Sequence, residues 1–187
     1  YSQNIDTTVM TNGVVYVVAK IYDAVGNFTY SPKQRYMCDN QGPEQVKNVK
    51  CIAVDGTTAT LSWSDVSDDD ISYFVVECKQ SDGVWKSVSR TSTNLGVNLS
   101  GLTPEHDYVY RVIGYDKRSN RGTPSEEITV TTLKDTICPK VTKITPDPGY
   151  FKSEINLRFT AEDDYRVKSI EIQTSTDKES WKTVSEI

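Results

Sequence analysis

His106, the single histidine of the chain, stands in Pro104-Glu105-His106-Asp107. Nucleophilic catalysis would need it beside a reactive serine or cysteine, and no nucleophile-elbow sequence is present, so it reads as an exposed turn residue and the chain as no enzyme. Two acidic groups, Asp65, Asp68, Asp69 and Asp70, and Glu162, Asp163 and Asp164, offer the carboxylate oxygens that calcium takes. Neither has the regular ligand spacing of a calcium loop, so both read as solvated loops, with no metal and no cofactor expected. Four cysteines, Cys38, Cys51, Cys78 and Cys138, lack the paired short spacings of a zinc site. Asn27-Phe28-Thr29 and Asn98-Leu99-Ser100 fit the glycosylation sequon. Trp85 and Trp181 could be sugar-stacking platforms, yet their recurrence in one local pattern favours a shared packing role.

These residues sit in a chain of 187 residues with 21 Lys plus Arg against 26 Asp plus Glu, a net charge of −5. No basic stripe could neutralise a row of phosphates, so nucleic acid is not an expected partner. No apolar run reaches the length of a membrane span, and the opening YSQNIDTTV has neither the basic start nor the apolar stretch of a signal peptide. From Val46 onward, short runs alternate apolar and polar residues with period 2 between turn residues, the pattern of half-buried antiparallel strands. Val49, Cys51 and Ala53 share one face; after Asp55-Gly56, so do Ala59, Leu61 and Trp63. Phe74, Val76 and Cys78 line the inner side of the next strand, and Tyr108, Tyr110 and Val112 that of the longest, within GLTPEHDYVYRVIGYD.

LSW at 61–63, the strand ISYFVVECK and the run LTPEHDYVYRV resemble the fibronectin type III pattern of a strand B tryptophan (Trp63), a strand C aromatic (Phe74) and Leu-x-Pro ahead of a corner tyrosine. The resemblance covers residues 43–134 and implies one complete β-sandwich. It also implies that Tyr108 bonds a backbone group a few residues upstream. Cys51 and Cys78 then lie on facing sheets in strands that are not neighbours, which favours two small buried thiols, with an inter-sheet disulfide as the alternative. Some fibronectin modules present Arg-Gly-Asp in the F–G loop; here Arg121-Gly122 is followed by Thr123, so integrin binding is not expected.

The two flanks are shorter. Residues 1–41 hold two good strand candidates, GVVYVVAKIYD and YSPKQRYMC, and two strands alone are marginal in water. Residues 138–187 hold VTKI, INLRFTA, VKSIEIQTS and WKTVS. Internal echoes identify the pieces. Glu77 followed by WKSVS matches Glu171 followed by WKTVS, with Trp85 and Trp181 96 positions apart. YRVIGYDKRSN matches YVVAKIYDAVGN, with Asp116 and Asp23 93 positions apart. Residues 1–41 therefore read as the closing strands, and 138–187 as the opening strands, of a second sandwich type. Their Asp-x-x-Gly-Asn turn, the Asp39-Asn40 ending and the opening DTICPKVTKITPDPG resemble bacterial immunoglobulin-like domains.

The expected fold is therefore all-β: tandem antiparallel β-sandwiches, fibronectin type III plus immunoglobulin-like. The expected function is a non-enzymatic structural or adhesion segment of a large extracellular or cell-surface protein, a rod-like spacer or fibre-forming repeat. Short linkers, NQGPEQ and LKDTICPK, would restrict bending. Expected partners are neighbouring domains or copies of the same chain joined head to tail, with the flanks complementing each other, or a host or matrix protein or glycan. Two alternatives are an accessory or weak carbohydrate-binding module of a secreted polysaccharide-degrading enzyme, and a eukaryotic receptor ectodomain.

Overall fold

The computed structural model describes residues 2–64 and 66–187; Tyr1 and Asp65, the latter one of the acidic-loop residues above, lie outside them. Every regular element among the described residues is a β-strand. The N-terminal flank carries β1 (Gly13–Val17), β2 (Lys20–Tyr22), β3 (Phe28–Tyr30) and β4 (Gln34–Cys38). The central region carries β5 (Lys50–Val54), β6 (Ala59–Ser62), β7 (Ile71–Lys79), β8 (Trp85–Thr91), β9 (Gly96–Leu99), β10 (Asp107–Asp116) and β11 (Ile128–Thr131). The C-terminal flank carries β12 (Lys140–Thr145), β13 (Arg158–Glu162), β14 (Glu171–Thr174) and β15 (Lys182–Glu186).

The central strands form a three-stranded sheet, β5-β6-β9, and a four-stranded sheet, β11-β10-β7-β8, the strand set of an immunoglobulin-like sandwich. Each flank forms only two-stranded sheets: β1-β4, β2-β3, β12-β13 and β14-β15. By internal contacts the chain divides into two compact units that cut across the sandwich: Tyr1–Lys50, Ser62–Val97 and Val109–Ile128, and Cys51–Leu61, Asn98–Tyr108 and Thr129–Ile187. Each unit thus takes part of the central strands together with one flank.

In the first unit, β7 and β10 run antiparallel with Tyr110 opposite Cys78 and Val112 opposite Val76. All four are buried, as are Phe74 and Ile113. The alternation puts Phe74, Val76 and Cys78 on one face, as period 2 requires. Trp63 closes this core edge-on against Phe74, ring centroids 5.6 Å apart, and its indole nitrogen is buried without a hydrogen-bond partner. In the second unit, Ala59, Leu61, Leu99, Leu102 and Val130 are buried. Cys51, expected on an inner face, is only half-buried, and Ala53 beside it is exposed, so β5 is a partly covered edge strand.

The flanks bury far less. Val15 and Val17 of β1 are half-covered while Val14 and Tyr16 between them are exposed, so the inner face is marked by alternation but not closed. In the tail, Trp181, Val184 and Ile187 are exposed. The central core therefore has the stability to lose. Trp63→Ala should cost about 3–5 kcal/mol in denaturant unfolding, whereas Trp63→Phe, which also removes the unpaired N–H, should cost less than about 1.5 kcal/mol.

Candidate functional site

The polar chemistry concentrates where the linkers meet the central strands. Asp116 ends β10 and is buried. Its Oδ1 accepts the Arg118 and Asn120 backbone N–H groups at 2.8 Å each, and its Oδ2 accepts the Asn120 side-chain amide at 2.7 Å. Burial pushes this carboxyl up, but the bonds from Asn120 and Arg118 outweigh it and hold the pKa below the usual range. Asn120 reaches further: its Nδ2 also donates to the Asp39 carbonyl at 3.1 Å. Arg118 sits 2.9 Å from Asp39 and 3.4 Å from Asp70, among three carboxylates, Asp39, Asp70 and Asp116, that lie within 4.8 Å of one another.

The linker backbone is wedged there. A Cβ on Gly42 would stand 2.2 Å from the Arg121 carbonyl oxygen, and one on Gly122 would stand 2.6 Å from that of Pro43. Thr123 N–H donates to Pro43 O at 3.3 Å. Only glycine allows two backbones this close.

In the second unit, the turn after β5 meets the opposite linker. Leu133 N–H donates to Asp55 O at 3.0 Å, and a Cβ on Gly56 would lie 3.0 Å from Asp135 Cα. Thr57 Oγ1 donates to Asp164 at 3.1 Å. Asp135, Asp163 and Asp164 carry oxygens within 4.8 Å of one another. Asp163 Oδ2 accepts the Arg166 N–H at 3.0 Å, while its Oδ1 is buried without a donor. This oxygen set is the kind a hard cation such as calcium takes. In the first cluster Arg118 already supplies positive charge.

Neither acidic run acts as a unit. Asp70 stays beside Asp68 but also comes within 4.8 Å of Asp39 and Asp116, and Asp163 and Asp164 group with Asp135. Those groupings are missing from the sequence because their members lie tens of residues apart.

The remaining singled-out residues are placed as follows. The Tyr108 hydroxyl accepts the Thr103 N–H at 2.8 Å, and the His106 ring packs edge-on against Tyr108, centroids 4.8 Å apart. Arg111 lies 4.0 Å over the Trp85 ring and forms a 2.7 Å ion pair with Glu77, which Arg121 also approaches at 3.3 Å. Trp181 carries no such cover and is 58% exposed, so the two tryptophans differ in environment. Arg121 and Gly122 belong to a strand bridge and a wedged backbone rather than a displayed loop. Asn27 donates to Asp23, and Asn98 accepts from Thr60; both are exposed. All four cysteines, Cys51 and Cys78 included, are free thiols.

One echo holds bond for bond. Asp23 Oδ1 accepts Val25 and Asn27 N–H and its Oδ2 accepts the Asn27 amide at 2.8 Å, the same three bonds that Asp116 receives from Arg118 and Asn120. The turn before Trp181 resembles the turn before Trp85 only in part: Asp82 accepts the Val84 N–H, Asp177 accepts those of Glu179 and Ser180, Gly83 and Lys178 share positive φ, and the second turn is longer.

Residues 44–131 match the family model for the fibronectin type III domain. Among solved structures, the chain resembles the fibronectin type-III domain of human fibronectin type III domain containing protein 3, at 25% identity and a TM-score of 0.47, over 52% of this chain and 93% of that one. It also resembles the FN1-FN3 domains of chicken CNTN1, at 17% identity and a TM-score of 0.50, over 70% of this chain and 46% of that one. No curated protein matches the chain. The central region is thus a fibronectin type III domain, in general a non-catalytic fold, and no helix among the described residues is long and apolar enough to cross a membrane.

The linker cluster has a pH signature. Desolvation, then Asp68 and the charges of Asp116 and Asp39, push the Asp70 carboxyl above its usual range. A raised folded pKa means the folded state holds the proton more tightly. Stability from this group is full below the unfolded pKa and is lost as pH rises through the folded value. Asp70→Asn should therefore flatten the fall in Tm between acidic and neutral pH and leave Tm at pH 7 at or above that of the parent, as read by thermal unfolding across pH. A Tm lowered at pH 7 would show that the Arg118 pairing outweighs the repulsion.

Proposed function

We propose that the chain is a non-enzymatic structural or adhesion segment of a large extracellular protein, in which the fibronectin type III domain is a stiff spacer between immunoglobulin-like neighbours of bacterial type. Fibronectin type III domains are commonly structural or spacer modules of multidomain proteins. The observation that carries the reading is the N-terminal junction. Asn120 and Arg118 grip Asp39, while Gly42 and Gly122 let the linker press against the Arg121 and Pro43 backbones. A flexible tether would need none of these bonds, since every ordered linker residue costs conformational entropy. In this reading the F–G loop, which displays ligands in some related modules, is committed to holding a neighbour.

Backbone 15N relaxation on the whole chain tests it. Residues 13–38 and strands β7 and β10 should report one rotational correlation time, and Gly42→Ala, whose Cβ would clash with Arg121, should give the N-terminal flank a shorter one. Two independent correlation times in the unmodified chain would overturn the spacer reading.

A further inference from the structure

We infer that the N-terminal linker is held by a proton-controlled clamp: a proton taken up by the cluster of Asp39, Asp70 and Asp116 tightens the grip of Arg118 on Asp39, and its loss loosens that grip. The inference rests on the spacer reading and adds the regulation of the same junction.

Three segments of the first unit meet there, and each brings charge. The linker brings Asp39, the loop before β7 brings Asp68, Asp69 and Asp70, and the end of β10 with its turn brings Asp116, Lys117 and Arg118. Uncharged contacts tie the three together. Lys117 N–H donates to the Asp70 carbonyl at 3.0 Å, Lys117 Nζ to that of Asp69 at 3.2 Å, and Asn120 Nδ2 to that of Asp39 at 3.1 Å. The carboxylate oxygens of Asp39, Asp70 and Asp116 are therefore kept within 4.8 Å of one another, with the Arg118 guanidinium among them. Carboxylates this close repel, and the least stabilised of them takes up a proton first.

Asp70 is that one. Asp116 receives three N–H bonds, two of them from backbone. Asp39 has Arg118 at 2.9 Å and also accepts from Asn12 and Gln41 at 3.4 Å each. The Asp70 carboxylate has one side-chain donor among the described residues, Arg118 at 3.4 Å. Desolvation, then the bond to Asp68 and the charges of Asp68, Asp116 and Asp39, hold its carboxyl above the usual range. Asp39 and Asp70 moreover draw on the same nitrogen, Arg118 Nη1. A charged Asp70 competes with the linker for it and repels Asp39, whereas a neutral Asp70 leaves Arg118 to Asp39. The proton is held more tightly in the clamped form than in the open one, so by linkage it favours clamping by the same factor. That contribution is full below the ordinary aspartate value of 3.8 and is lost as pH rises through the raised one. The Asn120 bond and the glycine wedge do not titrate, so pH sets the strength of the grip and not its existence.

Carboxyl 13C titration and backbone 15N relaxation of the full chain, from about pH 3.5 to about pH 7 across the carboxylate range, are the test. Asp70 should titrate above Asp116. The amides of Asp39, Gly42 and Thr123 should shift at the Asp70 midpoint and show higher order parameters on its acid side. Gly42→Ala, which breaks the wedge, should return the Asp70 midpoint towards the ordinary value. The ratio of the two Asp70 acid constants should then equal the factor by which opening at Thr123 N–H, read by amide exchange, rises from acid to neutral pH. Asp70→Asn should keep the linker in its acid form throughout. Circular dichroism and Trp63 fluorescence verify the fold; should Gly42→Ala unfold, Asp39→Asn is the second probe and should also lower the Asp70 midpoint. Linker amides that ignore the Asp70 midpoint, a linker looser in acid, or a pH response that survives Asp70→Asn would overturn the inference. One correlation time with a pH-independent linker defeats the switch and leaves the spacer. Two correlation times at neutral pH that merge at the Asp70 midpoint defeat the spacer and support the switch.

Discussion

The ladder between β7 and β10 is the interaction on which the rest of the chain depends. It sets Tyr110 and Val112 beside Cys78 and Val76 and carries Phe74 to Trp63. Its ends also fix both polar clusters of the first unit: Glu77 with Arg111 and Arg121 along the strands, and Asp116 with Arg118, Asn120, Asp39 and Asp70 at the end of β10. A sheet is stable when its inner face is covered and its edges are paired or protected. The central strands carry nearly all of the buried apolar residues, whereas the flanking hairpins leave most of theirs exposed.

That contrast gives the repeated sequence its meaning. The N-terminal hairpin keeps the turn of the central domain down to the individual Asp-to-amide bonds, and the C-terminal hairpin has a longer Asp-capped turn before its tryptophan. Local turn chemistry is complete in both flanks because it needs only neighbours in sequence. What is missing among the described residues is long-range: no third strand for β1 or β14 and no cation over Trp181. The linkers, by contrast, are tied down at each end of the central domain, by Gly42 and Gly122 in one unit and by Gly56 and Thr57 in the other.

How much of this was legible follows the same division. Period 2, the Leu-x-Pro before Tyr108 and the paired echoes marked the sandwich, the corner tyrosine and the hairpins, because each is written within about ten residues. The acidic runs could not show which distant carboxylates their members approach, because those partners lie tens of residues away in sequence. Asp70, still beside Asp68, approaches Asp39 and Asp116, and Asp163 and Asp164 approach Asp135. Trp85 and Trp181 share a local sequence pattern but not an environment, because the Arg111 that covers Trp85 comes from a strand 26 positions later. Nor could composition show that Gly42 and Gly122 are wedged against backbone, a fact of three-dimensional approach alone.

Amide hydrogen exchange on the dilute full chain tests the central claim, that the β7–β10 ladder makes the one self-sufficient core. Exchange from this ladder should require global unfolding, with opening free energies of about 5 kcal/mol or more, while β1, β2, β14 and β15 exchange through local openings near zero. Equal protection in the flanks and in β7 and β10 at the same dilution would contradict the account.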